Sequence, residues 1–272
     1  MILDDIVEYT RGRLTADMDR TPLADVMAAA EDTRAPQDFP FRQALARPGL
    51  SFICEIKRAS PSAGLISPDF PYLEIAREYA GHGADAVSVL TEPHFFKGSE
   101  EYLRRIAGAV HTPVLMKDFV LSEYQIYRAR ALGASAVLLI PAILSRADLR
   151  DCLDLTRSLG LSALVEARSE REVQAAAAAG ADIIGINSRD LRTFRIDLEA
   201  FGRLAPTVPD GVLKVAESGI NSRSDVLAMQ EAGADAVLIG SALMGSADRK
   251  AKLAELKGIA DDTDQTVRTA QA

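Results

Sequence analysis

The sequence predicts an α/β protein built from eight consecutive strand–helix units, and two observations lead to this prediction. First, a short phrase that begins Gly-Ala-Asp or Gly-Ala-Ser occurs four times, at residues 83–87, 133–137, 180–184 and 233–237. Each copy follows a helical pattern and begins an apolar run, so its glycine is interpreted as a helix C-cap that leads into a buried strand. Second, the copies lie 50, 47 and 53 residues apart. This spacing is about twice the length of one unit, so a further unit must lie between neighbouring copies.

Four other apolar runs supply the missing units, and each is followed by a helical pattern. They lie at residues 52–56, 113–116, 162–165 and 212–216. Eight almost continuous apolar strands that alternate with helices indicate a parallel sheet covered by helices. In about 200 residues, such units close most naturally into a (β/α)8 TIM barrel. A doubly wound open sheet is the structural alternative, but no G-x-G-x-x-G pattern follows the first strand.

The segment before the barrel, residues 1–48, has apolar residues at helical spacing in two stretches. They are Ile2, Leu3, Ile6 and Val7 in the first, and residues 22–30 in the second. We therefore expect an N-terminal helical extension packed on the barrel, which either only adds stability or also acts as a lid over the site. The barrel domain is expected to span residues 49–260. The tail, residues 261–272, is polar and is expected to be disordered.

Composition narrows the class of protein and its partners. The chain has 272 residues, of which 48% are hydrophobic and 26% charged, as expected for a soluble globular protein. The net charge of −8 argues against binding to nucleic acid, although a small phosphorylated ligand needs only local donors. No secretory signal is visible, and the longest apolar run, residues 136–144, is too short to span a bilayer. We expect a cytoplasmic protein without a membrane or nucleic-acid partner.

The chain has few cysteines and histidines, the residues that most often form disulfides or bind transition metals. The two cysteines, Cys54 and Cys152, lack the spacing of a metal site, and a disulfide framework is not expected. The three histidines are scattered along the chain and form no cluster with ligand spacing. No metal is therefore expected.

The first predicted strand carries two opposite charges where apolar residues would be normal. Alternation along the strand places Glu55 and Lys57 on one face. Burial of ionised groups without partners costs several kcal/mol or more, so the two side chains either satisfy each other or meet a charged substrate. Spacing alone does not decide between these interpretations.

Polar residues at the ends of later strands favour a substrate site. In a barrel of this kind the active site lies at the C-terminal ends of the strands. The residues found there are Lys117, Asp118 and Phe119 after strand 3, Glu166 in strand 5, Asn187, Ser188 and Arg189 after strand 6, and Glu217 in strand 7. Side chains two residues apart share a face of an extended segment. Three sets can therefore each point into the barrel mouth together: Glu55 with Lys57, Lys117 with Phe119, and Asn187 with Arg189 and Leu191.

Two Gly-Ser pairs indicate a phosphorylated substrate. Ser218-Gly219 follows strand 7, and Gly240-Ser241 follows strand 8. Barrels commonly bind phosphate at these two strand ends, with backbone N–H groups and a helix N-terminus.

Lys117 allows two chemistries. As an ammonium group it would be a general acid, and as a desolvated amine it would form a Schiff base with a carbonyl substrate. Carboxylates nearby, such as Glu55 and Glu166, would keep the lysine protonated and favour the acid.

These motifs together resemble the indole-3-glycerol-phosphate synthase family of tryptophan biosynthesis, in the family's order and over nearly the whole chain. The matching segments are residues 55–62, 117–119, 165–167, 185–191 and 216–220. The resemblance implies a carboxy-lyase (EC 4.1.1.48) that converts 1-(2-carboxyphenylamino)-1-deoxyribulose 5-phosphate to indole-3-glycerol phosphate with loss of CO2 and water. It implies neither a metal nor an organic cofactor.

The resemblance also implies roles for individual residues. Lys117 would be the general acid at the ribulose carbonyl, Glu166 would transfer a proton in the later dehydration, and Lys57 would be a second acid that also holds the substrate. The remaining residues fall into four groups by role. The polyol would be bound, and the lysines oriented, by Glu55, Asn187 and Glu217. The carboxylate would be bound by Arg189 with Ser60, and the phosphate by Ser218, Gly219, Gly240 and Ser241. The aromatic ring would lie against Pro61, Phe96, Phe119 and Leu191.

Four residues depart from what is common in the family. They are Met116, Pro141, Arg168 and Ser169. These departures leave open a paralogue of specialised metabolism that acts on a substituted ring. The residues also leave open a Schiff-base lyase or aldolase that uses Lys117, and a non-catalytic phosphate-binding protein. We expect a monofunctional monomer, with other enzymes of the tryptophan pathway as the candidate protein partners.

Overall fold

Eight parallel strands form a closed barrel in the computed structural model, which describes residues 2–33, 38–190 and 195–259. Each strand pairs with the next along the chain, and the last pairs with the first, with Ser51 opposite Ala236. The predicted (β/α)8 barrel with an N-terminal helical extension is thus confirmed, and the open-sheet alternative is wrong. The strands are β1 (Ser51–Ile56), β2 (Ala86–Leu90), β3 (Val114–Lys117), β4 (Ala136–Leu139), β5 (Ser162–Ala167), β6 (Ile183–Asn187), β7 (Leu213–Glu217) and β8 (Ala236–Ile239).

Helices precede the barrel and cover its outer surface. Three come before β1: α1 (Ile2–Arg20), α2 (Leu23–Asp32) and α3 (Pro40–Leu45). The others are α4 (Tyr72–Gly81), α5 (Glu100–Ala107), α6 (Glu123–Ala131), α7 (Arg146–Ser158), α8 (Glu170–Ala178), α9 (Glu199–Leu204), α10 (Arg223–Glu231), α11 (Ser241–Met244) and α12 (Arg249–Lys257). A short antiparallel hairpin, Ala59–Ser60 with Gly64–Leu65, follows β1. Within the described ranges, no helix is both long and apolar enough to cross a membrane.

The repeated glycines end their helices as the sequence predicted. Gly83, Gly133, Gly180 and Gly233 have φ angles between 85° and 89°, the left-handed region that glycine enters at little cost. In each case the N–H of the following alanine donates across the cap to a carbonyl in the last turn, as from Ala84 to Tyr79 at 3.0 Å. This is the Schellman arrangement, and it aims the chain from the helix into the next strand.

Two shells of apolar side chains alternate along the strands. Outward-facing residues such as Val87 and Val89 pack beneath the helices, whereas Ile53, Leu115 and Leu164 fill the barrel interior. This alternation is the two-residue period of a strand that is buried on both faces.

The N-terminal helices cover both ends of this interior. Helix α3 lies at the N-terminal end of the strands, where the Ser51 hydroxyl donates to the carbonyl of Ala44 at 3.1 Å. Its Phe41 and Leu45 are fully buried in the interior cluster. Helix α1 lies at the opposite end, where Arg13 pairs with Asp118 just after β3. The extension therefore closes the barrel at the N-terminal ends of the strands. It also reaches the C-terminal ends, where the site was predicted. The tail predicted to be disordered, residues 261–272, lies outside the described residues.

Candidate active site

A pocket opens at the C-terminal end of the barrel, and both charged and apolar side chains line it. Fifteen of the residues that the sequence predicted for the site line this pocket. They are Glu55, Lys57, Ser60, Pro61, Phe96, Lys117, Phe119, Glu166, Asn187, Arg189, Glu217, Ser218, Gly219, Gly240 and Ser241. The remaining one, Leu191, lies outside the described residues.

Lys117 lies at the centre of a buried cluster of charges. Its Nζ is 2.6 Å from Glu166 Oε2 and 3.1 Å from Glu217 Oε2. All three residues come from the ends of parallel strands, β3, β5 and β7, so the barrel brings together groups that are up to 100 residues apart in sequence. The side chains of the two glutamates are at most 3% exposed, so water screens these interactions little.

The cluster holds Lys117 as an ammonium group. Burial by itself would lower the pKa of Lys117, but the charges of Glu166, Glu217 and Glu55 outweigh burial and raise it. A Schiff-base nucleophile needs the opposite shift, toward a neutral amine. The arrangement therefore favours a proton donor at this position.

The two glutamates differ in charge because they differ in partners. Burial raises the pKa of Glu217 to about 8, and the nearby charge of Glu166 adds to this effect. Burial also opposes ionisation of Glu166, but Lys117 and the Asn187 amide, which donates to Glu166 Oε1 at 2.9 Å, lower its pKa overall. Glu166 is thus the more readily ionised of the two carboxyl groups, and Glu217 is the more readily protonated. Glu217 Oε1 is buried without a hydrogen-bond partner among the described residues.

Glu55 and Lys57 pair with each other at the end of β1, with Lys57 Nζ 2.8 Å from Glu55 Oε1. Gly240 borders this pair closely: a Cβ at Gly240 would overlap Glu55 Oε1 and would lie 2.9 Å from Lys57 Nζ. The sequence predicted only phosphate binding for Gly240. Because glycine has no side chain, Gly240 also leaves room for the Glu55–Lys57 pair.

Gly185 makes room for Glu217 in the same way. A Cβ there would overlap Glu217 Oε1. Gly185 belongs to one of the motifs that resemble the family, but the sequence predicted no role for it. The contact joins β6 to β7, and neighbouring strands cannot be aligned from a single sequence.

Arg189 reaches from the end of β6 to the loop after β1. Its Nη1 lies 3.4 Å from the hydroxyl of Ser62, which is in turn 3.4 Å from the hydroxyl of Ser60. Ser60, which the resemblance placed near Arg189, lies in this group, and the sequence predicted no role for Ser62, which lies between them. The two hydroxyls and the guanidinium group together form a set of donors suited to a carboxylate.

The predicted phosphate residues lie together where β7 and β8 end. Ser218 and Gly219 both have left-handed backbone conformations, with φ of 67° and 84°. A positive φ is unusual at serine, and such outliers occur where surrounding structure demands a tight turn. This turn brings residues 218 and 219 alongside Gly240 and Ser241 in the pocket wall.

The apolar part of the pocket is larger than predicted. The rings of Phe96 and Phe119 lie with centroids 6.1 Å apart, and Pro61 lines the same pocket. Leu138 and Ile140, from the end of β4, also line it, and the sequence did not reveal them. They belong to an uninterrupted apolar run, in which nothing separates a ligand contact from ordinary core.

None of the four residues that depart from the family pattern lines this pocket. Met116 is buried in the outer shell, and Arg168 forms an ion pair with Asp190 at 3.3 Å. The described residues contain no group of three or more His, Cys, Asp or Glu side chains arranged to hold a metal ion.

This fold and this site define a barrel protein with a buried set of acids and bases beside an apolar slot. The comparisons with known proteins then identify its family. The family model for indole-3-glycerol phosphate synthase matches residues 3–256. The chain is 46% identical over 260 residues to the indole-3-glycerol phosphate synthase of Ruminiclostridium cellulolyticum, covering 96% of this chain and 100% of the relative. It is likewise 46% identical over 255 residues to that of Mycobacteroides abscessus, covering 94% and 93%. The chain belongs to the indole-3-glycerol phosphate synthase family, which confirms the resemblance found in the sequence.

Similarity to solved structures extends to more distant barrels. A 3-hexulose-6-phosphate synthase from Salmonella typhimurium has a TM-score of 0.63 at 15% identity, covering 77% of this chain and 98% of that chain. A thiamine phosphate pyrophosphorylase from Pyrococcus furiosus has a TM-score of 0.58 at 21% identity, covering 80% and 96%. At such low identity these similarities establish the fold alone.

Proposed function

We propose that this chain is a carboxy-lyase that converts 1-(2-carboxyphenylamino)-1-deoxyribulose 5-phosphate to indole-3-glycerol phosphate, releasing CO2 and water. The observation that carries the proposal is the position of Lys117, held as an ammonium group by Glu166 and Glu217 beside the slot between Phe96 and Phe119. A carbonyl addition with an aromatic nucleophile requires these two features next to each other.

In the first step, the ring carbon that carries the carboxylate attacks the ribulose carbonyl, supported by the nitrogen lone pair. Lys117 donates a proton to the carbonyl oxygen, which becomes a hydroxyl group. The ring then loses CO2, and the electrons of the broken C–C bond restore aromaticity. Arg189, with Ser60 and Ser62, holds the carboxylate until then. The apolar slot disfavours that negative charge, which helps it leave.

Dehydration completes the indole. The hydroxyl group leaves as water after it receives a proton from Lys57. Glu166 accepts a proton from the adjacent CH2 group of the new five-membered ring, the former C1 of the ribulose, as the double bond forms. The ion pair with Glu55 fixes the position of the second acid, Lys57. Asn187, which donates to Glu166, orients the carboxylate for the transfer.

Glu217 has a supporting part in this scheme. It binds Lys117 and the polyol, and its raised pKa limits the negative charge that lies beside Glu166. Ser218, Gly219, Gly240 and Ser241 bind the phosphate and fix the sugar relative to Lys117.

The direct test is to incubate the protein with the carboxyphenylamino-deoxyribulose phosphate and follow the appearance of indole fluorescence. We expect turnover, and we expect Lys117→Ala to lower kcat by about 10²–10⁴-fold, the usual contribution of a general acid. Lys252→Ala is the control, because Lys252 pairs only with Glu255 on the remote helix α12 among the described contacts. A binding protein would show no turnover and would tolerate Lys117→Ala in cells.

The Schiff-base alternative has its own test. Borohydride added with substrate would trap a covalent adduct on Lys117 if that lysine were a nucleophile, and mass spectrometry would locate it. We expect no adduct, because the surrounding carboxylates keep the amine protonated.

The cellular location and the assembly state are also proposals. We place the enzyme in the cytoplasm, in keeping with its two buried free cysteines, Cys54 and Cys152, and its acidic composition. We propose a monomer, which light scattering of the purified protein tests. Other enzymes of the tryptophan pathway are the partners to look for.

A further inference from the structure

A buried carboxyl group that the proposed mechanism does not use, that of Glu92, lies in the loop between β2 and α5. Glu92 is completely inaccessible to solvent and does not line the pocket. Its Oε1 accepts from the N–H of His94 at 2.9 Å, and its Oε2 accepts from the N–H groups of Phe95 at 2.7 Å and Phe96 at 2.9 Å. One side chain therefore satisfies three consecutive backbone donors and fixes the path of this loop.

The backbone of Glu92 holds the same loop from the other side. Its carbonyl accepts from the N–H of Gly98 at 2.8 Å, so the chain returns to Glu92 after six residues. Lys97, between the two anchors, has a left-handed backbone with φ of 54°. A lysine rarely adopts this conformation unless surrounding contacts impose it. The loop is thus built around the carboxyl group, and no regular secondary structure holds it.

This loop forms one wall of the apolar slot and is hydrogen-bonded to the segment that forms another. The Phe96 ring lines the pocket and faces Phe119, with ring centroids 6.1 Å apart. The Phe96 carbonyl accepts from the N–H of Ala59 at 3.2 Å, directly before Ser60 and Pro61. Any shift of Phe96 would therefore move both its own ring and the segment that carries Pro61.

Only a carboxylate suits the three donors. Two oxygens are needed to accept three N–H groups, and an amide offers one oxygen and turns an NH2 group toward the remaining donors. Charge-assisted bonds from backbone N–H groups are also stronger than neutral ones. The negative charge has a counterpart in Arg13 of α1: burial would lower the pKa of Arg13, but the charges of Asp118 and Glu92 raise it.

We propose that Glu92 is a positioning residue for ring closure, which acts by fixing Phe96 and, through Ala59, Pro61 against the aromatic ring of the substrate. The inference rests on the proposed function, because it takes the ring-bearing substrate as the occupant of the slot. It predicts that Glu92 controls recognition of the ring and leaves recognition of the phosphate unaffected.

The experiment is a double-mutant cycle of Glu92→Gln and Phe96→Ala, each measured for turnover and for binding of two probes. One probe is the ribitol form of the substrate, made by reduction of its carbonyl, and the other is inorganic phosphate. We expect Glu92→Gln to raise KM and the Kd of the ribitol probe about tenfold, equivalent to roughly 1.4 kcal/mol. The Kd of phosphate should stay unchanged. In the Phe96→Ala background, Glu92→Gln should have a clearly smaller further effect, since coupled residues are not additive and only the backbone path to Pro61 remains.

Asp85→Asn is the matched control. Asp85 also accepts a backbone N–H bond, from Phe52 at 2.9 Å, but it lies at the N-terminal end of the barrel. It should leave both Kd values and KM unchanged. If Glu92→Gln does not fold, Glu92→Asp is used instead, because it retains the charge but withdraws it from the three N–H groups. It should show the same selective loss of affinity for the ribitol probe.

Three results would overturn the inference. They are equal effects of the Glu92 variant with and without Phe96, a parallel loss of phosphate affinity, and an unchanged affinity for the ribitol probe. Failure of the proposed function is a separate result, because it would appear as absence of turnover in the wild-type protein. The cycle on the ribitol probe measures the coupling in either case.

Discussion

The guanidinium group of Arg13 lies 2.8 Å from the carboxylate of Asp118, so helix α1 is tied to the residue that follows Lys117. Asp118 is 4% exposed, and its second oxygen accepts from the hydroxyl of Thr91 at 2.7 Å. The N-terminal extension is therefore connected to the proposed general acid through one ion pair. Through this ion pair the N-terminal extension can affect the position of Lys117, and hence catalysis, as well as the stability of the fold.

We expect Arg13→Met to lower the free energy of unfolding by about 3–5 kcal/mol, because it leaves a buried carboxylate without its charged partner. It should also lower kcat, since Asp118 adjoins Lys117. Urea unfolding and turnover assays measure the two effects. The control is Arg20→Met, which breaks an exposed pair with Asp17 on the same helix and should cost less than about 1 kcal/mol. Equal losses in the two variants would show that the Arg13 pair has no special importance.

Gly185→Ala should lower kcat more than it raises KM. The new Cβ would overlap the position of Glu217 Oε1, so the carboxyl group must move away from Lys117. The chemistry then loses a group that orients its acid, while the phosphate and ring contacts remain. Steady-state kinetics separates the two parameters. Gly202→Ala is the matched control: Gly202 lies in α9 with open space around it, and alanine there should be neutral or stabilising.

The free energy of unfolding of the wild type should depend on pH through the titration of Glu217, a dependence that the Glu217→Gln variant should lack. The pKa of Glu217 is raised from 4.5 to about 8 in the folded protein, mainly by burial, so the folded state holds a proton that the unfolded state has released. Its stabilising contribution is complete below pH 4.5 and is lost as the pH rises toward 8. Glutamine mimics the protonated form throughout.

The unfolding free energy of the wild type should therefore fall relative to that of Glu217→Gln, by a few kcal/mol between about pH 5 and pH 8. Urea titrations at several pH values measure this difference. Glu166, whose pKa is lowered, makes the unfolding free energy rise with pH instead. Both proteins contain Glu166, so the difference between their curves reports on residue 217. Parallel curves for the two proteins would mean that Glu217 is ionised throughout this range.

The barrel and most of the residues that line the pocket could be predicted from the sequence, because both depend on local patterns. Strand ends are marked by polar residues after apolar runs, and parity places alternate side chains on one face, as with Glu55 and Lys57. Contacts between distant segments leave no such mark. Arg13 and Asp118 are 105 residues apart, and a charged residue on a helix does not reveal which carboxylate it will meet. The contact of Arg189 with Ser62, 127 residues away, is another example, because it depends on the hairpin after β1.

Two apolar residues that line the pocket could not be predicted from the sequence, for a different reason. Leu138 and Ile140 form part of the pocket, yet in the sequence they belong to the same apolar run as Leu139, which packs in the outer shell. Only the barrel geometry separates the residue that faces a ligand from its neighbour that faces a helix. This distinction makes a direct test of the slot possible.

Ile140→Ala should enlarge the ring slot and change selectivity between ring substituents. Loss of its side-chain contacts should lower kcat/KM for the unsubstituted substrate by about 10- to 200-fold, the range for small changes in an apolar pocket. A substrate with a methyl group on the ring should lose less, because that group fills the new space. The ratio of the two kcat/KM values therefore shifts toward the substituted ring.

Leu139→Ala is the control for this change, because Leu139 is equally buried but packs away from the pocket. It should cost about 2–5 kcal/mol of stability, like other large-to-small changes in a core, and leave the selectivity ratio unchanged. If the ratio moves equally in both variants, loosening of the barrel explains it and Ile140 does not border the ring. If it moves only in Ile140→Ala, the end of β4 sets ring selectivity. That result would make this position the first to compare when deciding whether a family member serves a substituted ring.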